Sequence, residues 1–262
     1  MAATRFSLLP AALALAGCGQ PAPNQSAPAP VATAAAACEQ RSFEGSRFTL
    51  CRYDRRRHEI ALFLDGADHR TLRSFDALEQ LLGARAMRLR FAMNAGMYDD
   101  AGRPIGLYVD EGLQVHAINS NRGPGNFHML PNGIFQVSDD GHVEVQASSA
   151  YREQLPPRFA TQSGPMLVID GRLHPAIQDN GPSLHVRNGV GVDSPDTAWF
   201  VISDDAVSFG RMARLFRDVL HCPNALYLDG SVSSLWDRPA GRRDTNSELG
   251  PLIAIFEREG RR

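Results

Sequence analysis

The stretch NALYLDGSVSSLWDR, residues 224–238, places a carboxylate where a strand is expected to end. The apolar run Ala225–Leu228 leads into Asp229-Gly230, and four small residues follow. A carboxylate in this position can act as a nucleophile or a general base, and the backbone amides of Gly230 and Ser231 can donate to an anion. The alternative is an ordinary Asp-Gly turn in which Asp229 caps the following amides.

Four other stretches also join an apolar run to a polar side chain flanked by glycine. Glycine lets a ligand or another backbone approach closely, so five such junctions predict loops that converge on one site. Asn132-Gly133 and Asn188-Gly189 fit hairpin turns equally well, whereas a turn explains Asn94 in MNAGM less well. The four stretches are Phe91–Asp100, Gly123–Gly133, Ala160–Leu167 and Arg187–Val192.

Short strands and one long helix are expected to position these junctions. Residues Phe209–Leu220 predict a helix whose apolar side chains recur every three or four residues, with an arginine row that we interpret as a solvated face. The next strand then places Asp229 at the carboxyl end of a central strand, where ligands tend to bind in sheets with helical crossovers. The predicted fold class is α+β, a single domain with a dominant mixed β-sheet and flanking helices. Strands are predicted at Thr49–Tyr53, Glu59–Leu64, Arg88–Met93, Gly106–Val109, Gln114–Ala117, Gly133–Val137, His142–Val145, Pro165–Ile169, Ser183–Arg187, Thr197–Ser203 and Ala225–Leu228, with a short helix at Ser74–Gly83.

The composition excludes some classes of function. All 27 basic residues are arginine, which removes Schiff-base chemistry and phosphate binding by a P-loop lysine. Without a leader that contains Arg5, 26 basic residues stand against 29 acidic ones, a formal charge of −3. That balance does not indicate a nucleic-acid or membrane-surface partner. The 43% apolar content suffices for one substantial core.

The N-terminal residues 1–17 are typical of a lipoprotein signal peptide. One arginine precedes an apolar run, and Leu15-Ala16-Gly17-Cys18 resembles the bacterial lipobox, so Cys18 is expected to carry a lipid. A plain signal peptide cleaved further along is the alternative. Residues 18–37 form a Pro/Ala-rich linker, and residues 38–262 are the expected folded domain. We therefore expect export, with the chain held at the periplasmic face or outer membrane through its N-terminal lipid alone.

The remaining cysteines indicate a disulfide rather than a metal site. Cys38 and Cys51 flank a stretch that can fold back on itself, and in an exported protein their pairing is the leading one, with Cys222 left as a free thiol. No spacing of Cys or His is typical of a metal site. We expect no cofactor, although an oxygen-rich calcium site assembled from distant residues would leave no motif.

Taken in order, the motifs NAGMY, PIGLYV, GNFHMLPNGIF, TQSGPMLVIDG, RNGVGV and NALYLDGSVSSLW resemble the phosphodiester glycosidase family over residues 91–256. The match is nearest to its bacterial branch, which is related to the lysosomal uncovering enzyme that removes N-acetylglucosamine from mannose-6-phosphate residues. The animal enzymes read nearer to NGGYF and LDGGGS. Ser231 and Val232 replace two of those glycines, which bears on the substrate more than on the reaction.

The resemblance implies a glycoside hydrolase that cleaves between an anomeric carbon and a phosphodiester oxygen. Because a phosphate monoester is already a good leaving group, one carboxylate is indispensable and a second matters less. Asp229 is the candidate nucleophile or general base. Arg187 is the candidate phosphate ligand, because its planar fork matches phosphate oxygens.

Neutral groups complete the expected site. Asn94 is expected to orient the substrate or hold Asp229, and substrate contacts are expected from Asn126, Gln162, Ser163, Gly164, Asn188, Gly230 and Ser231. Structural alternatives are a pairing of Arg187 with Asp193 and the capping role of Asp229. Glu111, Asp193 and Asp204 are the possible second carboxylates.

The sequence is compatible with three functions. The first is hydrolysis of a sugar phosphodiester in an envelope or scavenged glycoconjugate. The second is a lipoprotein that binds a phosphoglycan without cutting it, and the third is a glycosidase that acts on a non-phosphorylated glycan. Catalysis predicts that Asp229→Asn stops turnover with ligand still bound, whereas binding alone predicts that no product ever forms.

Overall fold

The fold was determined as a computed structural model, which describes residues 1–2, 36–152, 157–245 and 247–259. Residues 3–17 of the predicted signal peptide, the predicted lipidation site Cys18 and all of the predicted linker except residues 36–37 lie outside these residues. The strands are β1 (Cys38–Phe43), β2 (Ser46–Asp54), β3 (His58–Phe63), β4 (Leu89–Asn94), β5 (Tyr108–Asp110), β6 (Leu113–His116), β7 (Gly133–Val137), β8 (Val143–Ala147), β9 (Phe159–Ser163), β10 (Met166–Ile169), β11 (Arg172–Leu173), β12 (Asn188–Ser194), β13 (Thr197–Ser203), β14 (Asn224–Tyr227), β15 (Leu235–Asp237), β16 (Arg242–Arg243) and β17 (Leu252–Glu257). The α-helices are α1 (Phe75–Leu82) and α2 (Phe209–Arg214), and α2 continues as a π-helical turn, Leu215–Val219. Short 3₁₀ turns lie at Gly83–Arg88, Asn126–His128, Ser148–Ala150 and Gly230–Val232.

The described strands form three sheets in which all neighbours are antiparallel. The orders are β1-β2-β13-β12-β14-β10-β11, β16-β15-β4-β17-β3 and β6-β5-β9-β7-β8. The α+β class with dominant sheet holds in outline, but the prediction of one mixed sheet was wrong, and the helices are few. Six of the antiparallel pairs join strands that are consecutive in the chain through short connections, which favour antiparallel pairing: β1-β2, β5-β6, β7-β8, β10-β11, β12-β13 and β15-β16.

The three sheets meet at an aromatic cluster in the core. Phe200 of β13 lies 5.6 Å, between ring centroids, from both Phe91 of β4 and Phe135 of β7. All three side chains are almost completely buried. Since each ring comes from a different sheet, packing at this point fixes the sheets against one another.

The strand–helix–strand unit that was predicted to present Asp229 is present. Helix α2 connects β13 to β14, and β12 lies between these two strands in the sheet. Because each pairs antiparallel with β12, β13 and β14 run parallel to each other. β14 is an internal strand with β10 on its other side, so Asp229 follows the carboxyl end of an internal strand, as expected.

Helix α2 owes its position to an N-terminal cap and an apolar face. The Ser208 side chain accepts a hydrogen bond from the amide of Arg211, and Met212 and Phe216 are fully buried. On the other face, which was predicted to be solvated, Arg211 and Arg214 form ion pairs with Glu44. The α-helix ends at Arg214, and only together with the π-helical turn to Val219 does helical structure match the predicted range Phe209–Leu220 to within a residue.

The predicted strand at Ser183–Arg187 was wrong, because the strand begins at Asn188. An added Cβ at Gly189 would lie 3.2 Å from Phe216, and one at Gly191 would lie 2.6 Å from the same ring. These glycines therefore let helix α2 pack closely on β12. The feature that suggested a ligand loop from sequence is a packing requirement of the helix.

Two of the three cysteines in the described residues form a disulfide. A disulfide joins Cys38 to Cys51 across β1 and β2, the pairing expected from sequence, and Cys222 is free and buried. No helix within the described ranges has the length and apolar character needed to cross a bilayer.

Candidate functional site

Asp229 stands at the end of β14 with its side chain partly buried. Its Oδ1 accepts a hydrogen bond from the backbone N–H of Ser231 at 3.2 Å, so the predicted capping contact is present. Burial raises the pKa of the Asp229 carboxyl, and the Ser231 amide opposes this increase. The carboxylate is thus held in a partly desolvated position where an ionised oxygen is more basic than in water.

Asn94, at the end of β4, fixes the loop that carries Asp229. Its Nδ2 donates to the backbone carbonyl of Asp229 at 2.7 Å, and its Oδ1 accepts from the backbone amide of Ser234 at 2.9 Å. The residue is 1% exposed. The structure therefore places Asn94 as a support of Asp229, one of the two roles expected, and not as a direct contact with substrate.

Asn188, the first residue of β12, closes the same network. Its Nδ2 donates to the backbone carbonyl and to Oδ1 of Asn94, both at 3.0 Å, and its Oδ1 accepts from the Ser233 hydroxyl at 3.2 Å. Asn188 is completely buried, so its expected contact with substrate is replaced by contacts to Asn94 and Ser233. Because β4 and β12 belong to different sheets, this amide pair joins two sheets beneath Asp229.

Arg187 lies behind the site instead of on its surface. The side chain is 1% exposed, and the centre of the guanidinium lies 3.7 Å from the ring centroid of Phe209. Its Nε donates to the carbonyl of Val207 at 2.8 Å, and its Nη2 donates to the carbonyl and hydroxyl of Ser183. Among the described residues no carboxylate pairs with it, so the alternative pairing with Asp193 does not form.

The Tyr227 hydroxyl links Arg187 to the loop that carries Asp229. Nη1 of Arg187 donates to the Tyr227 hydroxyl at 3.3 Å, and the backbone N–H of Gly230 hydrogen-bonds to the same oxygen. Burial raises the pKa of the Tyr227 hydroxyl, and both hydrogen bonds oppose this increase. An added Cβ at Gly230 would lie 1.8 Å from that hydroxyl, so only glycine fits there. Arg187, Tyr227 and Gly230 form a chain that ends at the residue after Asp229.

Gln162 braces two loops from inside β9. Its Oε1 accepts from the amides of Leu107 and Asn119, and its Nε2 donates to the carbonyl of Asn119 and to Oδ1 of Asn132. With all of its hydrogen-bonding groups engaged and 1% of the residue exposed, Gln162 supports the loops in place of the expected substrate contact.

The two loops held by Gln162 meet the TQSG segment closely. An added Cβ at Gly164 would lie 2.8 Å from the carbonyl oxygen of Phe127 and 3.3 Å from that of Asn126. Asn126 is partly exposed, while Ser163 is fully buried, and its hydroxyl has no partner among the described residues. Of the residues expected on this side, Asn126 alone keeps a partly accessible side chain.

Gly96 packs against strand β9 with no room for a side chain, so replacing it should lower the stability of the fold. An added Cβ would lie 2.3 Å from the carbonyl oxygen of Gln162 and 2.4 Å from Oγ1 of Thr161, and a backbone carbonyl cannot easily move away. Gly96→Ala is expected to destabilise the fold by about 1–3 kcal/mol, measured by urea unfolding. Gly181→Ala, where the nearest atom is 3.6 Å away, is the control and should unfold close to wild type. Equal stability of the two variants would contradict this packing.

The possible second carboxylates are engaged elsewhere. Glu111 pairs with Arg158, Asp204 pairs with Arg242, and Asp193 accepts from the indole of Trp199 and from Thr197. None of the three contributes to the pKa shift of Asp229. The described residues also contain no group of three or more His, Cys, Asp or Glu side chains placed to hold a metal ion.

Several contributors to the site were missed from sequence. Tyr227 was one apolar position in a strand, and Ser233 and Ser234 were part of a bed of small residues. Burial, and after it the charge of Asp229, raises the pKa of Tyr98 to about 12, so Tyr98 is electrostatically coupled to Asp229. In the sequence, only the position of Tyr98 within NAGMY and that of Tyr227 shortly before Asp229 indicate that these two tyrosines belong to the site.

Comparison with known proteins agrees with this geometry. A model of the phosphodiester glycosidase family matches residues 87–251. The uncharacterized protein YigE of Escherichia coli (strain K12) is 38% identical over 149 residues, which are 57% of this chain and 58% of that protein. The chain thus spans little more than half the length of this curated relative.

Two solved structures share the fold at 14% identity. One is the catalytic domain of zebrafish N-acetylglucosamine-1-phosphodiester alpha-N-acetylglucosaminidase, auto-inhibited by its pro-peptide, with a TM-score of 0.56 over 85% of this chain and 82% of that one. The other is a hypothetical protein from Synechocystis, with a TM-score of 0.55 over 84% of this chain and 61% of that one. With the family model covering well over half of its length, the chain belongs to the phosphodiester glycosidase family.

Proposed function

We propose that this chain hydrolyses the bond between the anomeric carbon of a sugar and a phosphodiester oxygen. The observation that carries the proposal is the placement of Asp229, a partly buried carboxylate of raised pKa at the end of an internal strand. Its loop is fixed by Asn94 and Asn188 from two sheets. A carboxylate held in this way is preorganised for a positively charged transition state.

In the proposed reaction the bond from C1 to the phosphodiester oxygen breaks, and its electron pair leaves with the phosphate monoester. Water supplies the oxygen that bonds to C1, and Asp229 takes up the proton of that water, so the products are a free sugar and a phosphate monoester. The leaving group needs no proton, which is consistent with a single carboxylate at the centre of the site.

Positive charge for the phosphate comes from groups behind Asp229. Among the described residues Arg187 is buried without a carboxylate partner, and it donates to the Tyr227 hydroxyl, which lies next to Gly230. In a partly desolvated site such a fixed positive charge stabilises negative charge more than it would in water. This favours a substrate that carries a phosphate over an uncharged glycan.

Hydrolysis in oxygen-18 water tests the bond that breaks. The purified chain is incubated with UDP-N-acetylglucosamine and with simple sugar phosphodiesters, and the products are weighed by mass spectrometry. The proposal expects the label in the sugar, since water attacks carbon. Label in the phosphate would identify a phosphodiesterase and overturn the proposal, and binding without product would leave a phosphoglycan-binding protein.

Export and lipid anchoring at Cys18 are part of the same proposal. The disulfide between Cys38 and Cys51 supports an oxidising compartment. The substrate would then be a phosphodiester of the cell envelope or of a scavenged glycoconjugate. The intact mass of the chain from a membrane fraction checks this: an acylated Cys18 at the N-terminus is expected, and an unmodified chain that begins elsewhere contradicts anchoring.

A further inference from the structure

Two apolar side chains stand exposed next to the candidate active site. Leu184 is 55% exposed and Val186 is 39% exposed. Both belong to residues 183–186, which immediately precede Arg187, and we call these four residues the apolar lip. Apart from Met1, the large apolar side chains of comparable exposure in the described residues lie in other segments: Leu81, Met87, Leu113 and Val115.

Hydrogen bonds hold the backbone of the apolar lip at Ser183 and at His185. Nη2 of Arg187 donates to the carbonyl of Ser183 at 2.9 Å. His185 and Val207 exchange two backbone hydrogen bonds, 3.2 Å and 2.8 Å long. The exposure of the two apolar side chains is therefore a property of a fixed segment, and water must solvate them unless a ligand covers them.

The apolar lip is also joined to the loop that carries Asp229. The Ser233 hydroxyl lies 3.3 Å from the carbonyl oxygen of Val186 and 3.2 Å from that of Gly230. The same hydroxyl donates to Asn188, which supports Asn94. One serine therefore contacts the lip, the network beneath the site and the residue next to Asp229, so the lip forms part of the site's edge.

A phosphodiester joins two groups through its phosphate, and they make different demands on a binding site. Sugar hydroxyls need polar partners, and Leu184 and Val186 provide none, while the Ser183 hydroxyl already accepts from Arg187. His185 is the remaining polar side chain of the lip. An alkyl or aryl group gains affinity from apolar contact, by up to about fourfold for each methylene removed from water.

We propose that the apolar lip binds an apolar alkyl or aryl group on the alcohol side of the sugar phosphodiester. The inference rests on the proposed function and extends it to the class of substrate. Leu184 and Val186 are then specificity-determining residues. They act on the affinity for the substrate, whereas Asp229 acts on the bond that breaks.

The experiment compares two esters of N-acetylglucosamine 1-phosphate, one with a methyl and one with an octyl group, both below the micellar concentration. For the wild type, KM for the octyl ester is expected to be at least about tenfold lower than for the methyl ester. The double variant Leu184→Ser/Val186→Ser should lose this preference, so that its KM values for the two esters agree within about twofold. Leu113→Ser, which removes a 70% exposed leucine from edge strand β6, is the matched control and should keep it.

The outcomes separate this inference from the proposed hydrolysis. If the wild type cleaves both esters with equal KM, or if the double variant keeps the preference, the lip has no role in specificity although hydrolysis stands. If neither ester is cleaved, calorimetric binding to the wild type still tests the lip: tighter binding of the octyl ester that is lost in the double variant supports it. Lip-dependent binding to phosphatidylcholine vesicles, with no preference between the esters, would identify a membrane contact and overturn the inference.

Discussion

Replacing Asp229 with asparagine is expected to lower kcat/KM by at least about a thousandfold, because the proposed reaction loses the carboxylate that takes up the proton of the attacking water. Asparagine keeps the shape and the acceptor that Ser231 uses, so calorimetry should show ligand affinity close to that of the wild type. Asp205→Asn removes a surface carboxylate that pairs with Arg47, and this control should retain full activity. Unchanged turnover in Asp229→Asn would remove the central residue of the proposed mechanism.

The same variant should unfold at a higher temperature than the wild type at neutral pH. The folded-state pKa of Asp229 is raised, so its contribution to stability is present at low pH and is lost as the pH rises through that pKa. A neutral asparagine avoids this loss. We expect a gain on the order of 1 kcal/mol, or about 2–4 °C in Tm, that disappears in acid. Calorimetric scans from acidic to neutral pH measure it, and a constant difference across pH would contradict the assignment to ionisation.

Replacing Arg187 with methionine is expected to lower kcat by about a hundredfold or more with KM changed only a few-fold. The guanidinium is buried and donates to the Tyr227 hydroxyl, so we expect its charge to stabilise the transition state at a distance, without a direct contact to the phosphate. Arg187→Lys keeps the charge but not the fork, and we expect intermediate activity. Steady-state kinetics with a sugar phosphodiester separate the two parameters.

Stability should change less than activity in this series. Methionine removes a buried cation that has no carboxylate partner among the described residues, but it leaves the carbonyls of Val207 and Ser183 without this donor, so we expect a net loss of about 1–2 kcal/mol. Arg214→Met is the control, because Arg214 pairs with Glu44 on the outer face of helix α2. It should lose stability without losing kcat. A large rise in KM in Arg187→Met would instead indicate that Arg187 contacts the phosphate directly.

The sequence predicted the placement of Asp229 because that prediction depended on local patterns. A long amphipathic helix followed by a short apolar run is recognisable without tertiary information, and both elements are confirmed. Antiparallel pairing throughout was not predictable in the same way. It depends on which strands become neighbours across three sheets, and strands distant in sequence, such as β2 and β13, pair directly.

The roles of the polar residues were harder to predict, since burial is set by the assembled fold. Gln162 and Asn188 were expected at a ligand, and Asn94 either there or as a support of Asp229, yet the amide of each bonds to the backbone or side chains of other loops. An isolated Asn or Gln near a glycine looks the same whether it faces a ligand or supports the residue that does. Arg187 was assigned to phosphate for its chemistry, and only packing revealed Tyr227 between it and the site.

The pair formed by Asn94 and Asn188 has a consequence for how the active conformation arises during folding. These residues are 94 positions apart, and the amide of Ala95 donates to the carbonyl of Pro251 at 2.7 Å, beside strand β17. The hydrogen-bond network that supports Asp229 therefore forms only after early and late parts of the domain have come together. Bringing such distant segments together has a high entropic cost. Enzymatic activity should be the last property to appear on refolding, and the amount of activity reports how many molecules have completed assembly.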